Sequence, residues 1–286
     1  MRAILLAAVA AFLSACSPAS LLNATVSGAG VGVSTGIAYG EGPRHTLDVY
    51  RPEAEAEAAT APGPLVVFLY GGNWRTGTKA MYAFVARPLA QRGAVVVVPD
   101  YRLYPEVQFP DFLDDNARAV AWAVAHAASF GADPRRVFVL GHSAGAYNAA
   151  MLAVDPRYLA GAGLDRGRLA GVIGLAGPYD FLPMTDPDIL PVFAPVDDGP
   201  ASQPVTYVDG RNPPMLLLAG DADTTVRPRN TESLAAKIRG AGGPAASKLY
   251  PGVGHIGIVT AFAPLFSGKA PVLDDVWAFI QRQRAQ

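Results

Sequence analysis

Five continuous apolar segments alternate with segments of helical periodicity along this chain. The apolar segments are residues 65–69, 94–98, 137–140, 169–175 and 215–219. Continuous apolar residues are typical of strands that are covered on both faces, as in a parallel sheet, whereas half-buried strands alternate. The pattern therefore predicts an α/β fold with a doubly wound, mostly parallel sheet that is flanked by helices.

Weaker patterns complete the predicted fold. Residues 47–50 alternate as an edge strand does, and residues 247–250 predict a weaker sixth strand. The helical patterns lie at residues 80–92, 112–128, 144–153, 231–239 and 272–284. Nine prolines interrupt residues 178–214 and leave little room for long helices. We expect this proline-rich insertion, which precedes the strand at 215–219, to lie over the functional site.

Composition excludes two classes of function. Hydrophobic residues make up 51% of the 286 residues and charged residues 16%, so the chain can bury a substantial core. Lys and Arg number 23 against 24 Asp and Glu, and a net charge of −1 offers no general attraction to nucleic acid. Cysteine and histidine do not recur at the spacing of a structural zinc site. We therefore expect no nucleic-acid partner and no metal.

The first sixteen residues predict export and lipidation. Arg2 supplies a basic start, and residues 3–13 form an apolar stretch that is too short to cross a bilayer as a mature helix. Leu-Ser-Ala-Cys at residues 13–16 resembles a bacterial lipobox, in which the cysteine thiol receives diacylglycerol. The resemblance implies that residues 1–15 are a lipoprotein signal peptide and that Cys16, the single cysteine, becomes the lipidated N-terminus. An ordinary secretory signal with a chance cysteine is the alternative.

A lipidated Cys16 implies attachment to a membrane of the bacterial cell envelope. Because Ser17 rather than aspartate follows the cysteine, resemblance to enterobacterial sorting favours the periplasmic side of the outer membrane in a Gram-negative host. Residues 16–36 are rich in Ser, Ala and Gly without a clear period, which predicts a flexible tether. We expect the folded domain to span residues 37–286.

One motif combines a serine with a sharp turn. Gly-His-Ser-Ala-Gly at residues 141–145 directly follows the predicted strand at 137–140 and directly precedes a predicted helix. In this context the serine is held in strained backbone geometry, and the residues two before and two after it must be small. Gly141 and Gly145 meet that need. Ser143 is therefore the candidate nucleophile, and a glycine-rich turn without catalytic function is the alternative.

A serine hydroxyl needs a base to take its proton, and in this type of fold an acid and then a histidine follow the serine along the chain. His45 and His126 precede Ser143, and His142 is its immediate neighbour. His255 remains as the candidate base. It lies in a glycine-containing loop just beyond the weak strand at residues 247–250, although a plain surface-loop histidine is the alternative.

Two carboxylates follow the strand at 215–219 and precede His255. Asp221 is expected to cap the turn through its own backbone, as aspartate often does in turns. With Asp221 as the alternative, Asp223 is the preferred candidate acid. Its carboxylate would orient the imidazole and stabilise the imidazolium that forms during attack.

A glycine-rich loop is predicted to stabilise the negative oxygen that forms on attack. Tyr-Gly-Gly-Asn-Trp at residues 70–74 follows the predicted strand at 65–69. Glycines at this place let amide groups approach a substrate closely, and the expected donors are the N–H groups of Gly72, Asn73 and Ala144. A tight glycine turn without this role is the alternative.

In combination, these motifs resemble the α/β-hydrolase superfamily, in particular esterases of the hormone-sensitive-lipase type and the neighbouring carboxylesterase and arylformamidase-like group. The resemblance covers about residues 45–260. In family order, the segments that carry it are residues 47–52, 70–74, 100–106, 131–134 and 141–145 and the loops of Asp223 and His255. The Gly-x-x-Asp-x-x-Val spacing around Asp223 also matches many relatives. The chain departs from the family at Tyr70, where a histidine usually supports the oxyanion loop.

The resemblance implies a serine carboxylesterase with residues 37–286 as its catalytic domain. Such an enzyme hydrolyses a small-molecule ester through an acyl-enzyme intermediate and needs neither a metal nor an organic cofactor. Formamide hydrolysis by the same three residues is the nearest alternative. A noncatalytic protein of the same fold, which binds a ligand or a partner, is the second alternative.

Several other side chains are expected near the site. Aromatic residues on loops that converge near Ser143 are candidate walls of a substrate pocket, with ordinary packing as the alternative. They are Trp74, Tyr104, Tyr179 and Phe181. Three charged residues are expected to pair beneath the site and hold its loop, namely Asp100, Arg102 and Glu106.

Overall fold

The structure, a computed structural model, describes residues 18–53, 61–196 and 199–283, and these residues contain one sheet of eight strands. The strands are β1 (Val31–Ala38), β2 (Thr46–Pro52), β3 (Gly63–Leu69), β4 (Val95–Pro99), β5 (Ala132–His142), β6 (Leu169–Leu175), β7 (Met215–Gly220) and β8 (Ala245–Tyr250). Their order across the sheet is β1-β2-β4-β3-β5-β6-β7-β8. β2 pairs antiparallel with β1 and β4, and all other pairs are parallel.

Helices cover both faces of this sheet. They are α1 (Pro18–Ala24), α2 (Ala83–Gln91), α3 (Asp111–His126), α4 (Ala144–Val154), α5 (Pro156–Gly161), α6 (Leu190–Phe193), α7 (Arg229–Gly240), α8 (His255–Thr260) and α9 (Val272–Arg282). β4 lies on one side of β3, and β5 to β8 follow on the other side, so the chain reverses its direction across the sheet after β4. Because such crossovers are right-handed, α2 covers one face and α3, α4 and α7 cover the other. α9 packs against α2.

The predicted doubly wound, mostly parallel sheet is therefore confirmed. All six predicted parallel strands lie within β3 to β8 or overlap them, and every residue of β4, β6 and β7 is buried. The continuous apolar pattern arises because helices cover these strands on both faces. The five helical patterns correspond to α2, α3, α4, α7 and α9, although Lys79–Tyr82 form a 3₁₀ turn before α2.

One strand has a different place in the sheet from the one predicted. Residues 47–50 were expected in an edge strand, but β2 lies between β1 and β4. Residues 47–50 are all buried, including Asp48. The edge is β1, whose mixed small and polar residues hide its strand character in the sequence.

The predicted flexible tether at residues 16–36 is wrong for residues 18–36, which the structure describes. These residues form α1 and most of β1, and β1 pairs with β2 along nearly its whole length. The folded domain therefore begins by residue 18 rather than at residue 37. The leader at residues 1–15 and the predicted lipidation site Cys16 lie outside the described residues.

Polar contacts explain why α1 docks without a recognisable hydrophobic pattern. The side chain of Asn23 donates to the Ala80 carbonyl at 2.8 Å and accepts from the Phe84 N–H at 2.9 Å. The Arg87 guanidinium donates to the carbonyls of Asn23 and Val26 at 3.3 and 3.2 Å. Val26 is buried beside them. These partners lie more than fifty residues away in the sequence, so the local sequence gives no sign of them.

The described residues of the proline-rich insertion form only short helical turns, as predicted. α6 has four residues, and the other turns are of 3₁₀ type at Ala194–Val196, Pro200–Ser202 and Pro204–Tyr207. Within the described ranges, no helix is long and apolar enough to cross a membrane. The same residues hold no cluster of three or more His, Cys, Asp or Glu side chains that could bind a metal ion.

We predict that Asn23→Ala loosens the N-terminal segment. The substitution removes two hydrogen bonds, each worth about 1 kcal/mol net, so the free energy of unfolding should fall by about 1–2 kcal/mol. Amide hydrogen exchange at residues 18–29 should also accelerate. Leu21→Ala, on an exposed residue of the same helix, is the matched control for both measurements. Unchanged exchange in the Asn23 variant would mean that the segment does not dock through this side chain.

Candidate active site

The turn between β5 and α4 holds Ser143 in a strained conformation. Its φ is 55° and its ψ is −122°, a region that residues with a side chain rarely adopt. A Cβ on Gly141 would lie 2.2 Å from the carbonyl oxygen of Gly145, and a Cβ on Gly145 would lie 2.0 Å from that of Leu69. Only glycine fits at either position. The turn therefore has the geometry that the sequence motif predicted.

Ser143 lies where the chain reverses its direction across the sheet. β3 and β5 are neighbours, and the chain leaves them toward opposite sides of the sheet. Such a reversal opens a crevice at the carboxyl ends of the strands, which is where ligands bind in open α/β sheets. The loop at residues 70–74 reaches this crevice, and a Cβ on Gly71 would lie 2.8 Å from the Ser143 Cβ. The topology thus brings two distant motifs together.

Three predicted residues form one hydrogen-bonded chain. Ser143 Oγ lies 2.9 Å from His255 Nε2, and His255 Nδ1 lies 2.8 Å from Asp223 Oδ2. His255 is the first residue of α8, and Asp223 follows β7. Ser143 and Asp223 are both buried. This is the geometry of a nucleophile, a base and an orienting acid.

The environment of Asp223 keeps its carboxylate ionised. Its Oδ1 accepts from the N–H groups of Thr225 and Val226, both at 2.9 Å. Burial acts to raise the pKa of Asp223, but the bond from His255 and the two backbone N–H groups outweigh burial and hold the pKa below its ordinary value. A charged carboxylate at this place can stabilise an imidazolium on His255.

The candidate oxyanion donors lie together beside Ser143. Gly72 has φ +127° and Asn73 has φ +55°, and a Cβ on Gly72 would lie 2.3 Å from the Thr76 carbonyl oxygen. Among the residues that the structure describes, the N–H groups of Gly72, Asn73 and Ala144 donate no hydrogen bond. They are free to donate to a substrate oxygen.

A buried tyrosine supports the oxyanion loop. The Tyr70 hydroxyl donates to Asp100 Oδ1 at 2.8 Å and accepts from Arg44 Nη2 at 2.7 Å. Its ring stacks on Tyr82 and Tyr101, with centroids 5.4 and 4.8 Å away. Burial raises the pKa of Tyr70 far above its ordinary value, so the hydroxyl keeps its proton. Tyr70 therefore supports the loop at the position where the family resemblance implied a histidine.

The prediction that three charged residues hold this loop is correct for one of them and wrong for the other two. Asp100 does hold the loop, because it also accepts from the Lys79 N–H at 2.7 Å. Arg102 instead pairs with the buried Asp115 through two bonds of 2.8 Å, and Glu106 is exposed. The prediction that Arg102 and Glu106 pair with Asp100 is wrong. Residues 100–106 share no single helix or strand, and the sequence does not show which acid Arg102 reaches.

His142 is a residue whose role the sequence argument missed. Its Nε2 donates to the backbone carbonyl of His255 at 3.1 Å. Burial lowers the pKa of His142 to about 3, so the ring is neutral. His142 thereby holds the backbone that carries the candidate base. Its position inside the Gly-His-Ser-Ala-Gly motif was the available signal.

Two cavities meet at Ser143. The insertion-side cavity has a volume of about 280 Å³ and includes Trp74, Ala144 and several residues of the proline-rich insertion. The histidine-side cavity has a volume of about 470 Å³ and includes His142 and His255. The residues that line both cavities are Asn73, Ser143 and Thr225. The insertion therefore lies over the site, as predicted.

Two of the four aromatic candidates line a cavity at Ser143, and two do not. Trp74 and Phe181 line the insertion-side cavity, and the Trp74 Nε1 also donates to Asn148 Oδ1 at 2.9 Å. The prediction is wrong for Tyr104 and Tyr179, which line neither cavity at Ser143. The Arg75 guanidinium covers the Tyr104 ring. Tyr179 is fully buried.

Two glycines explain the buried position of Tyr179. Its side chain occupies the space that side chains on Gly174 and Gly177 would need, since a Cβ on Gly174 would lie 2.0 Å from the Tyr179 hydroxyl oxygen. The ring therefore turns into the core, away from the crevice.

The sheet, the turn and the hydrogen-bonded chain define a protein of the α/β-hydrolase fold. Sequence comparison narrows the class, because the family profile described as BD-FAE matches residues 47–238. The chain belongs to the BD-FAE family. A second profile, for the prolyl oligopeptidase family, matches residues 194–284.

Several curated relatives of the chain are esterases by name. The chain is 27% identical over 272 residues to an isoprenylcysteine alpha-carbonyl methylesterase of Arabidopsis thaliana, covering 88% of this chain and 62% of that protein. It is 31% identical over 240 residues to esterase LipC of Mycobacterium tuberculosis, covering 77% and 58%. The chain spans 55 to 64% of the length of the first curated relatives it matches.

A solved structure supports the fold independently. The chain is similar to the structure of esterase B from Lactobacillus rhamnosis, with a TM-score of 0.78 and 22% identity. The similarity covers 97% of this chain and 94% of that one.

We predict that Asp223→Asn lowers turnover of an ester substrate by about 10⁴-fold, because an amide no longer holds His255 in the required tautomer. Asp221→Asn is the matched control. Asp221 is exposed and accepts from the Gly252 N–H at 2.7 Å, a different partner from the expected turn backbone. Steady-state kinetics of the two variants measure the difference. A larger loss in the Asp221 variant would assign the acid role to Asp221.

Proposed function

We propose that this protein is a serine carboxylesterase that hydrolyses small-molecule carboxylic esters through an acyl-enzyme intermediate. The observation that carries the proposal is the chain of two short hydrogen bonds from Ser143 through His255 to Asp223. Free backbone N–H groups beside Ser143 and the esterase names of several relatives support it.

In the first half of the reaction, Ser143 Oγ attacks the ester carbonyl carbon, and its proton moves to His255 Nε2. The carbonyl oxygen becomes an oxyanion, which the N–H groups of Asn73 and Ala144 stabilise together with that of Gly72. The tetrahedral intermediate collapses, the ester C–O bond breaks, and the alcohol leaves with the proton from His255.

In the second half, water replaces the alcohol. His255 takes a proton from the water as it attacks the acyl-enzyme carbonyl, and the second tetrahedral intermediate forms. Its collapse releases the carboxylic acid and returns the proton to Ser143 Oγ. Asp223 stabilises the imidazolium in both halves, because its pKa lies below the ordinary value and it stays ionised.

We predict that Ser143→Ala lowers ester hydrolysis by at least about 10⁴-fold and abolishes labelling by a fluorophosphonate probe. The alanine removes the nucleophile and leaves the rest of the site in place. Ser267→Ala, on an exposed residue, is the matched control, and circular dichroism checks that both variants fold. Persistent labelling of the Ser143 variant would move the nucleophile to another residue.

The ester and formamide alternatives differ in the leaving group. Relative kcat/KM on short p-nitrophenyl esters and on N-formylkynurenine separates them, because the same three residues would serve both reactions. We expect the esters to be preferred. Absence of turnover on both substrates, with no probe labelling, would instead support a noncatalytic binding protein.

We further propose that the protein is lipid-anchored in a bacterial cell envelope, on the periplasmic side of the outer membrane in a Gram-negative host. The lipobox-like residues 13–16 support this proposal. Two acyl chains on a diacylglyceryl cysteine bury enough methylene groups, at about 0.8 kcal/mol each, for stable anchoring, whereas one chain gives only reversible binding.

We predict that the native protein partitions into the detergent phase and that Cys16→Ser yields a soluble or unprocessed form that still hydrolyses esters. Detergent-phase partitioning and mass spectrometry of the mature N-terminus measure this. An unmodified N-terminus at a residue other than Cys16 would exclude lipidation and leave the hydrolase proposal unaffected.

A further inference from the structure

The two cavities at Ser143 would hold different parts of the ester substrate in the proposed reaction. The leaving alcohol must receive its proton from His255 Nε2, so the alcohol side of the ester faces that ring. His255 lines the histidine-side cavity and not the insertion-side cavity. The histidine-side cavity therefore receives the alcohol. The insertion-side cavity, which Ser143 and Ala144 also line, receives the acyl group.

The insertion-side cavity carries an excess of positive charge. Its basic residues are Arg227 and Arg229, and Asp186 is its one acidic residue among those described. Within the described part of the chain, neither arginine forms an ion pair or donates a side-chain hydrogen bond. Among the described residues, the two guanidinium groups therefore outnumber the one carboxylate that lines the same cavity.

The position of these arginines opposes the field of the neighbouring helix. Arg229 is the first residue of α7, and Arg227 lies two residues before it. The N-terminus of a helix favours anions and disfavours cations, so both charges reduce the stability of the helix end. An anion in the cavity would oppose this effect, because it would interact favourably with both guanidinium groups.

The backbone that carries the arginines is fixed. The Asn230 side chain accepts from the N–H groups of Tyr179 and Asp180 at 3.0 and 2.9 Å, and it donates to the Arg227 carbonyl at 3.2 Å. Asn230 is buried. The backbone on which both arginines lie is therefore bonded to the proline-rich insertion, and both arginine side chains are exposed at the cavity.

We propose that the acyl group of the substrate ends in a carboxylate, so that the protein prefers monoesters of dicarboxylic acids. The inference rests on the proposed esterase function and concerns the acyl side only. The free carboxylate binds between Arg227 and Arg229 and takes no part in bond making or breaking. The ester C–O bond breaks as it does for any other substrate, and the product is a dicarboxylate.

The test compares two substrates with the same leaving group and the same acyl length. The anionic substrate is mono-p-nitrophenyl adipate, and the neutral one is its terminal amide, p-nitrophenyl adipamate. The measured quantity is the ratio of kcat/KM for the anion to kcat/KM for the amide, corrected for spontaneous hydrolysis. The ratio cancels any general effect of a substitution on folding or on the catalytic residues.

We expect a wild-type ratio well above one. Arg227 and Arg229 are both exposed. Because each exposed charge pair contributes about two- to fivefold, Arg227→Gln combined with Arg229→Gln should lower the ratio by about tenfold. Asp186→Asn should raise it, since it removes an opposing charge that lines the cavity. Lys237→Gln combined with Arg239→Gln, at two exposed positions in the last turn of α7, is the charge-matched control and should leave the ratio within about twofold. Added salt at about 1 M should reduce the preference.

The outcomes separate the two proposals. A wild-type ratio at or below one, or a ratio that the double variant leaves unchanged, would overturn the preference for anionic acyl groups. The hydrolase proposal would stand in that case, because the neutral amide ester would still be hydrolysed through Ser143. If the protein hydrolyses neither substrate and the fluorophosphonate probe does not label it, both proposals fail together.

Discussion

The strained backbone at Ser143 is the constraint on which the site depends. A positive φ at a residue with a side chain costs about 1–3 kcal/mol, and the surrounding structure must hold it in place. Here the Ser143 N–H donates to the Leu175 carbonyl of β6 at 2.9 Å, and its carbonyl accepts from the N–H of Tyr147 at 3.0 Å. Gly145 packs directly on the end of β3. Three strands and α4 therefore need to be assembled before Ser143 can adopt this conformation.

The support of the oxyanion loop shows how polar groups can replace one another beneath a site. The hydroxyl of Tyr70 both donates to Asp100 and accepts from Arg44, so it joins a buried carboxylate to a guanidinium. The Asp100 carboxylate also accepts a hydrogen bond from Lys79 Nζ at 3.1 Å. Because each buried polar atom in this group has a partner, the group avoids the cost of unsatisfied burial. A tyrosine at the family's histidine position therefore changes the support and leaves the loop in place.

The parts of the site that sequence predicted are those where local chemistry dictates the residue type. The turn at Ser143 requires glycines on both sides, and the order of the chain leaves only His255 as the base. Packing direction is not encoded in this way. Tyr179 and Phe181 occupy the same insertion, yet Tyr179 turns into space that Gly174 leaves open, and Phe181 lines the cavity. The sequence identifies the aromatic residues but not the side on which each one packs.

The same limit applies to long-range polar contacts. The docking of α1 depends on Asn23, whose partners lie more than fifty residues away, and a segment rich in small residues has the composition of a linker. Composition indicates how much apolar surface a segment can bury. It does not show whether the segment forms hydrogen bonds to distant residues, as Asn23 does. The sequence therefore predicted the sheet and underestimated the extent of the domain.

The loop after β7 joins catalysis to substrate selection. Asp223 holds His255, while Arg227, four residues later, borders the cavity that we assign to the acyl group. The Asn230 side chain bonds this segment to the insertion at Tyr179. Asp223 is bonded to the same segment through the Val226 N–H. One short segment therefore carries both the acid that orients the candidate base and the arginines that we propose bind the substrate carboxylate.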